Sequence, residues 1–304
     1  MLPRHIDLGM LRPDVVRHHA GVFQVDGIRV HTDGEGADVF SEDPRGDRAD
    51  EAAVQSAGEQ KPQRRVGVQA LVDAEDQLFP DVGADGIQIH GCLGHRFIGA
   101  GMGGRKIKIH GVPGNALGAY LNGAEIEVFG NAQDAVGDTM NAGIIVVHGN
   151  IGDTTGYAMR GGRIYAKGNA GYRTGIHTKE YREHLPVIII GGRAGSFLGE
   201  YQAGGIIIVL GLHSDAAAKP IVSNFPCTGM HGGKLFLRER CENVLFPEQV
   251  TPRPASDEDL AEISEYLREY CGVFGLNKDK LLSEPFTVVT PNSANPYKQM
   301  YVAN

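Results

Sequence analysis

Residues 91–110, GCLGHRFIGAGMGGRKIKIH, are followed by GVPGNALGAYLNGAEIEVF (111–129), GNAQDAVGDTMNAGIIVVH (130–148) and GNIGDTTGYAMRGGRIYAK (149–167). After GNAGYRTG (168–175) and an interruption, GRAGSFLGEYQAGGIIIVL (192–210) completes the series. The opening glycines are Gly91, Gly111, Gly130, Gly149, Gly168, Gly192 and Gly211, in steps of 20, 19, 19, 19, 24 and 19 residues. A period near 20 marks one supersecondary unit stacked repeatedly, a solenoid. The single long step coincides with IHTKEYREHLP, residues 176–186.

Four residues before each opening glycine stand Ile87, Ile107, Ile126, Ile145, Ile164, Ile188 and Ile207. Two before it stand Ile89, Ile109, Val128, Val147, Ala166, Ile190 and Val209. Alternation of that kind is a strand with one buried face, because strand side chains point to opposite sides with period two. A third column, Met102, Leu121, Met140, Met159 and Met230, suits irregular core gaps. Like strands stacked in parallel give a β-helix whose coils rise by about 4.8 Å. The glycines then serve its corners, where φ is often positive or backbones approach closely.

Outward from this region the chain changes character. Of the net charge of −8 on 304 residues, residues 1–82 supply −7, and they contain no Asn and no Tyr. There, VFQVDGIRVH (22–31) reads as one or two short strands around Asp26-Gly27, a hairpin-like turn. The charged run after it reads as loop or disorder, and residues 66–80 as a short helix or strand. Beyond Gly211, TGMHGGKLFLR (228–238) restores the repeat once, as a last partial coil. A helix follows, with Ser256 as N-cap, Asp257, Glu258 and Asp259 in its first turn, Leu260, Ile263, Leu267 and Tyr270 on one face, and Gly272 as its stop. Such a helix is expected to close the solenoid end. The tail looks extended. The organisation is thus an acidic extension (1–82), a β-helix (83–240) and a cap helix with tail (241–304).

Several chemistries are disfavoured. A net negative charge gives no general attraction to nucleic acid or anionic membrane. The longest apolar runs, PVIII at Pro186 and IIIVL at Ile206, are too short to span a bilayer. The first ten residues show no secretory pattern, so a cytoplasmic location is expected. Cys92, Cys227, Cys241 and Cys271 lie far apart, without a CxxC pair, and read as reduced thiols rather than as cluster or zinc ligands. No cysteine near the N-terminus suggests an N-terminal-nucleophile amidotransferase. GAGMGG (99–104) matches GxGxxG formally, but a dinucleotide site needs that motif between strand and helix. His90 and His110 read as an outward stack, since two histidines are an incomplete ligand set. No catalytic, cofactor-binding or metal-binding residue is assigned.

One column carries information about partners. Three residues before the opening glycines run Gln88, Lys108, Glu127, Val146, Tyr165, Ile189 and Ile208, with Phe236 aligned after them. This outward column turns apolar from Val146 onward, and apolar stripes of that size are normally covered, either by the C-terminal helix and tail or by another subunit. Glu200 and Tyr201 are polar residues in an apolar corner and form a candidate contact surface. With Val146, Tyr165, Ile189, Ile208 and Phe236 they make up the candidate interface.

The units above, the run KEYREHLPVIIIGGRAGSFLGEYQAGGIIIVLG, TGMHGGKLFLR and the tail NPYKQMYV together resemble the GXGXG domain of glutamate synthase. More closely, they are similar to the stand-alone third subunit found where the large glutamate synthase chain is split. The resemblance covers residues 83–304 and not 1–82. It implies an all-β, right-handed parallel β-helix of about seven coils, non-catalytic, without its own cofactor. In that family such a domain braces a glutamine amidotransferase and an FMN-binding glutamate synthase part that carries an iron–sulfur cluster. Subunits of formylmethanofuran dehydrogenase and of N-methylglutamate synthase share the repeat and imply an equivalent role. An autonomous ligand-binding β-helix is the remaining alternative.

Overall fold

The alternating segments become strands in the computed structural model, which describes residues 86–212 and 220–292 in full and, earlier, the backbone of three strands. The chain divides into two compact units, Met1–Val82 and Gly83–Asn304. In the first, β1 (Gly21–Val25) and β2 (Ile28–Thr32) pair antiparallel, with Val25 opposite Ile28, so of the one or two strands expected around Asp26-Gly27 there are two. The two-residue strand β3 (Ala37–Asp38) lies inside the run expected to be loop and pairs antiparallel with β2, Ala37 opposite Thr32 and Asp38 opposite His31. The segment 66–80 and the tail NPYKQMYV lie outside the described residues.

The second unit carries the repeat. Strands β4 (Ile87–Leu93), β5 (Lys106–Val112), β6 (Asn122–Phe129), β7 (Ala142–Val147), β8 (Arg163–Ala166), β9 (Val187–Ile190), β10 (Ala203–Val209) and β11 (Gly232–Leu237) each pair in parallel with the next. The register runs Ile87, Ile107, Ile126, Ile145, Ile164, Ile188, Ile207, Leu235. This inner column meets Leu121, Met140, Met159 and Met230, all fully buried. Single bridges link Ala132, Ile151, Ala170, Ala194 and Val222 on a second, narrower wall. The result is the expected parallel β-solenoid, with its core inside the coils.

The repeated Gly-Asn has a steric cause that spacing alone does not reveal. Asn131 Oδ1 accepts the N–H of Asn150 at 2.8 Å, Asn150 Oδ1 that of Asn169 at 2.7 Å, and Asn169 Oδ1 that of Arg193 at 2.8 Å. A Cβ at Gly149, Gly168 or Gly192 would lie 2.3, 2.4 and 2.2 Å from those same three oxygens. Each opening glycine here therefore makes room for the asparagine of the coil before it. A parallel rung repeats the device: Asp134 Oδ1 accepts from Asp153 N–H at 2.9 Å, and a Cβ at Gly152 would sit 2.3 Å from it.

The C-terminal segment departs from expectation in two respects. Helix α1 (Asp257–Phe274) has the expected N-cap, with Ser256 and Asp259 forming a reciprocal capping box. It runs through Gly272 and stops at Gly275, which adopts φ 66° and donates its N–H to Cys271 O. The three extra residues bring Phe274 to the Tyr270 ring, at 4.7 Å between centroids. Nor does α1 close the end of the stack: it lies along the flank of β7–β11, burying Ile263, Leu267, Tyr270 and Cys271 against the sheet. The end is taken by β12 (Val250–Pro254) and β13 (Thr287–Pro291), with β13 antiparallel to β11 and β12 outside it. Pro252 and Pro254 remove donors from β12, which suits an edge strand. A short α2 (Lys278–Leu282) links α1 to β13.

Candidate functional site

The outward stripe is the first place to look for a site. Tyr165, Ile189, Ile208 and Phe236 are fully buried and Val146 nearly so, in one cluster with Ile263, Leu267 and Tyr270 of α1. Of the two covers expected for the stripe, the C-terminal helix supplies this one in cis, so Val146, Tyr165, Ile189, Ile208 and Phe236 present no open surface to another subunit. The physical reason is the amphipathic face of α1, whose apolar residues match a stripe left unpaired by the coils. Polar contacts fix the fit. Glu269 accepts two hydrogen bonds from Arg163 Nη1, at 2.8 Å each, and one from Tyr165 Oη at 2.8 Å. Tyr270 Oη donates to Ala166 O at 3.1 Å. Burial, with the Glu269 carboxylate beside it, pushes the Tyr165 phenol up from its ordinary value.

On the same side of the early coils, His90, His110, Phe129 and His148 stack face to face at 4.7, 4.7 and 4.9 Å. His148 Nε2 lies 2.9 Å from Glu127 Oε1, and its ring meets Phe274 edge-on at 5.2 Å. Parallel imidazoles at that separation stack and do not converge on one ion. Among the described residues no group of three or more His, Cys, Asp or Glu could hold a metal.

The nucleophile and dinucleotide candidates are also placed. GAGMGG, Gly99–Gly104, forms the turn between the parallel strands β4 and β5. All four cysteines are free and buried. Burial drives the Cys92 thiol up to about 11, against a weaker opposing hydrogen bond to His95, and pushes Cys227 up as well. A high thiol pKa disfavours the thiolate needed for nucleophilic chemistry. His231, near Cys227 in sequence, has Nδ1 3.0 Å from Gly229 O.

Glu200 and Tyr201, by contrast, belong to an organised outer corner. Glu200 is 5% exposed, and its Oε2 lies 2.7 Å from Arg173 Nε. The Arg173 guanidinium sits over Tyr172 at 4.9 Å and over Phe197 at 5.6 Å. Phe197 continues the contact to Phe225 at 5.2 Å. Tyr201 stacks on His177 at 5.2 Å with the planes 8° apart, and its other side covers Gly229, where a Cβ would lie 2.4 Å from Tyr201 Cδ1. Tyr157 meets His177 edge-on, and Arg160 Nη1 donates to His177 O at 3.1 Å. Phe225 is 61% exposed, and Tyr157, Tyr172 and Tyr201 are exposed as well.

The backbone that carries this corner is unusual. Phe97, Ala116, Ala135, Thr154, Arg173, Phe197 and Phe225 all have φ between 53° and 63°, the left-handed region that costs a non-glycine residue free energy. Coil-to-coil bonds hold them there, such as Arg173 N–H to Ser196 O and Phe197 N–H to Asn224 O, both 2.9 Å. Tyr172, Arg173, Phe197 and Phe225 were not singled out in the sequence. The available signal was a change from Ala and Thr to Arg and Phe along this column of the repeat.

Comparison with known proteins sets these findings in a family. Residues 82–293 match the family model described as GXGXG motif. A curated protein of Methanocaldococcus jannaschii, described as "Uncharacterized protein MJ1350", is 40% identical over 130 residues, covering 41% of this chain. The match spans 50% of that relative's length. Among solved structures, a chain of the formyltransferase/hydrolase complex (FhcABCD) from Methylorubrum extorquens, in complex with methylofuran, aligns with TM-score 0.41 and 21% identity. That alignment covers 60% of this chain and 72% of the other.

Proposed function

We propose, from the premise that this chain belongs to the GXGXG motif family, that it is a non-catalytic scaffolding subunit of a glutamate synthase-type complex. In this reading it braces a glutamine amidotransferase subunit and an FMN-binding synthase subunit, and the flavin and iron–sulfur cluster reside in those partners. The setting proposed is the cytoplasm; among the described residues no helix is long and apolar enough to cross a membrane.

The observation that carries the reading is the outer corner of the last coils. There Tyr172 and Phe197 flank Arg173 above a buried Glu200, and Phe225, 61% exposed, continues from Phe197. Solvated aromatic side chains grouped on one face are costly unless something covers them. The KEYREHLP insertion and the NPYKQMYV tail favour a glutamate synthase-type assembly over the other complexes that use this repeat.

Affinity purification of the tagged chain from its native host, with absorbance spectra and mass spectrometry, tests the reading. A yellow complex with glutaminase activity is expected. Recovery of a colourless chain alone, hydrolysing a substrate by itself, would overturn it. A flavin-free complex carrying formyl-transfer enzymes would place the chain in the related assembly instead.

A further inference from the structure

The solenoid has two outward columns that become large and apolar towards its C-terminal coils. One, Val146 to Phe236, is roofed by α1. The other, on the turn side, carries Tyr172, Phe197 and Phe225 with His177 and Tyr201 beside them, and no described element covers it: Phe225 is 61% exposed. At the same left-handed position the first coil has Phe97, and the next three have Ala116, Ala135 and Thr154. Among the described residues, two rings of this column lie in contact only in the last coils, Phe197 and Phe225 at 5.2 Å.

We infer that this corner is the docking surface for an acidic, apolar-anchored segment of a different subunit, an inference that rests on the scaffolding reading above. Arg173 and Arg160 bring two guanidinium groups to the corner, with Glu200 beneath Arg173 and Asp153 accepting the Tyr172 N–H at 2.7 Å. Glu200 lies beneath, only 6% of its side chain exposed, and engages Arg173 at Nε, while the Arg173 side chain remains 40% exposed. The fork is thus held in place from below, with its solvent side presented to an incoming carboxylate.

The geometry selects among occupants. A sugar needs open ring faces, but Phe197, His177 and Tyr201 spend theirs on neighbouring rings and on Gly229. A second copy meeting this corner through a two-fold axis would set Arg160, Arg173 and His177 against themselves. A protein segment with apolar side chains over Phe225 and a carboxylate at Arg173 satisfies both the rings and the charge, the composition typical of interface hot spots.

The test uses the full tagged chain in its native host with p-benzoylphenylalanine at position 225 and, as a control, at Leu245, which is 89% exposed on the loop after β11. After irradiation and purification, crosslinked peptides are identified by mass spectrometry. A crosslink from position 225, and not from 245, to an Asp- or Glu-containing segment of another polypeptide is expected. Phe225→Asp should lower recovery of that polypeptide at least tenfold with an unchanged thermal melt, and Phe225→Lys should retain at least threefold more of it than Phe225→Asp. Crosslinks to a second copy, equal losses from Asp and Lys, or partners recovered with no crosslink from 225 would each overturn the inference. The last of these would leave the scaffolding reading standing. Recovery of the wild-type chain alone would remove both.

Discussion

Gly191 and Tyr270 compete for one space: a Cβ at residue 191 would lie 2.3 Å from Tyr270 Oη. The phenol reaches Ala166 O only because residue 191 has no side chain. Gly191→Ala therefore forces the helix outward, and the same Cβ would stand 2.3 Å from Lys167 O. Overpacking of this kind costs about 1–3 kcal/mol. Tyr270→Phe removes the clashing oxygen and one hydrogen bond, a loss of about 1 kcal/mol, since Ala166 O also accepts from Gly191 N–H. The double variant should be less destabilised than the sum of the singles in urea denaturation. Strict additivity would mean the two residues do not share the space.

The start of α1 makes stability depend on pH in the acid range. Arg253 beside Asp259 holds that carboxyl well below the usual carboxylate range, helped by hydrogen bonds from Ser256 and opposed by burial. A depressed folded-state pKa means the unfolded chain binds the proton first. The contribution is full above the unfolded value of about 3.9 and is lost as pH falls from there towards the folded value. Asp259→Asn should cost about 1 kcal/mol at pH 7, the usual scale of a cap. The gap between wild type and variant should narrow steadily below about pH 4. Urea midpoints across pH 2–7 measure this, and a constant gap would contradict it.

Much of this fold was legible, and the misses have physical causes. KIKIH alternates, and β5 has one solvated face; VIII and IIIV do not alternate, and β9 and β10 are buried on both faces. That contrast marks where the second cover lies, yet it does not say whether helix or partner supplies it. The flanking position of α1 depends on tertiary contacts such as Tyr270 with Ala166, 104 residues apart in sequence. Gly272 looked like a stop because glycine often ends helices, but the left-handed turn falls at Gly275. Asn131, Asn150 and Asn169 could have been read as a ladder, since Gly-Asn recurs at the repeat spacing. The corner was half visible. Glu200 and Tyr201 stand out as polar in an apolar corner, whereas nothing in the local pattern marks Phe197 and Phe225, whose outward placement comes from the left-handed backbone.

A second glycine column separates close packing from mere tolerance. A Cβ at Gly156 would meet Ile188 Cδ1 at 2.4 Å, and φ there is +72°. Equivalent glycines Gly118, Gly137 and Gly175 face the isoleucine of the following coil in the same way. In the last coil that position is Cys227, with φ 62°, where no further parallel coil supplies an isoleucine. Gly156→Ala should cost about 2–5 kcal/mol, combining left-handed backbone strain with overpacking. Cys227→Gly should cost about 1 kcal/mol, the burial of a small side chain. Chemical denaturation of the two variants gives the order, and a reversed order would refute this account of the column.

Glu269 offers the sharpest measure of what holds α1 to the coils. Its carboxylate takes the hydroxyl of Tyr165, which is fully buried, and both hydrogen bonds from Arg163, which is partly exposed. In Glu269→Ala, Arg163 can turn to water, so the ion pair itself is worth little. The Tyr165 hydroxyl is left buried without its acceptor, a cost of about 1–3 kcal/mol. Tyr165→Phe alone leaves Glu269 paired with Arg163 and should cost about 1 kcal/mol. Adding Tyr165→Phe to Glu269→Ala removes the orphaned hydroxyl, so the double variant should be no less stable than Glu269→Ala. Hydrogen exchange should then show faster exchange of the α1 amides in Glu269→Ala, restored in the double variant, with the β5–β6 amides unchanged. Further loss of stability in the double variant would instead assign the effect to the Arg163 ion pair and to ring packing.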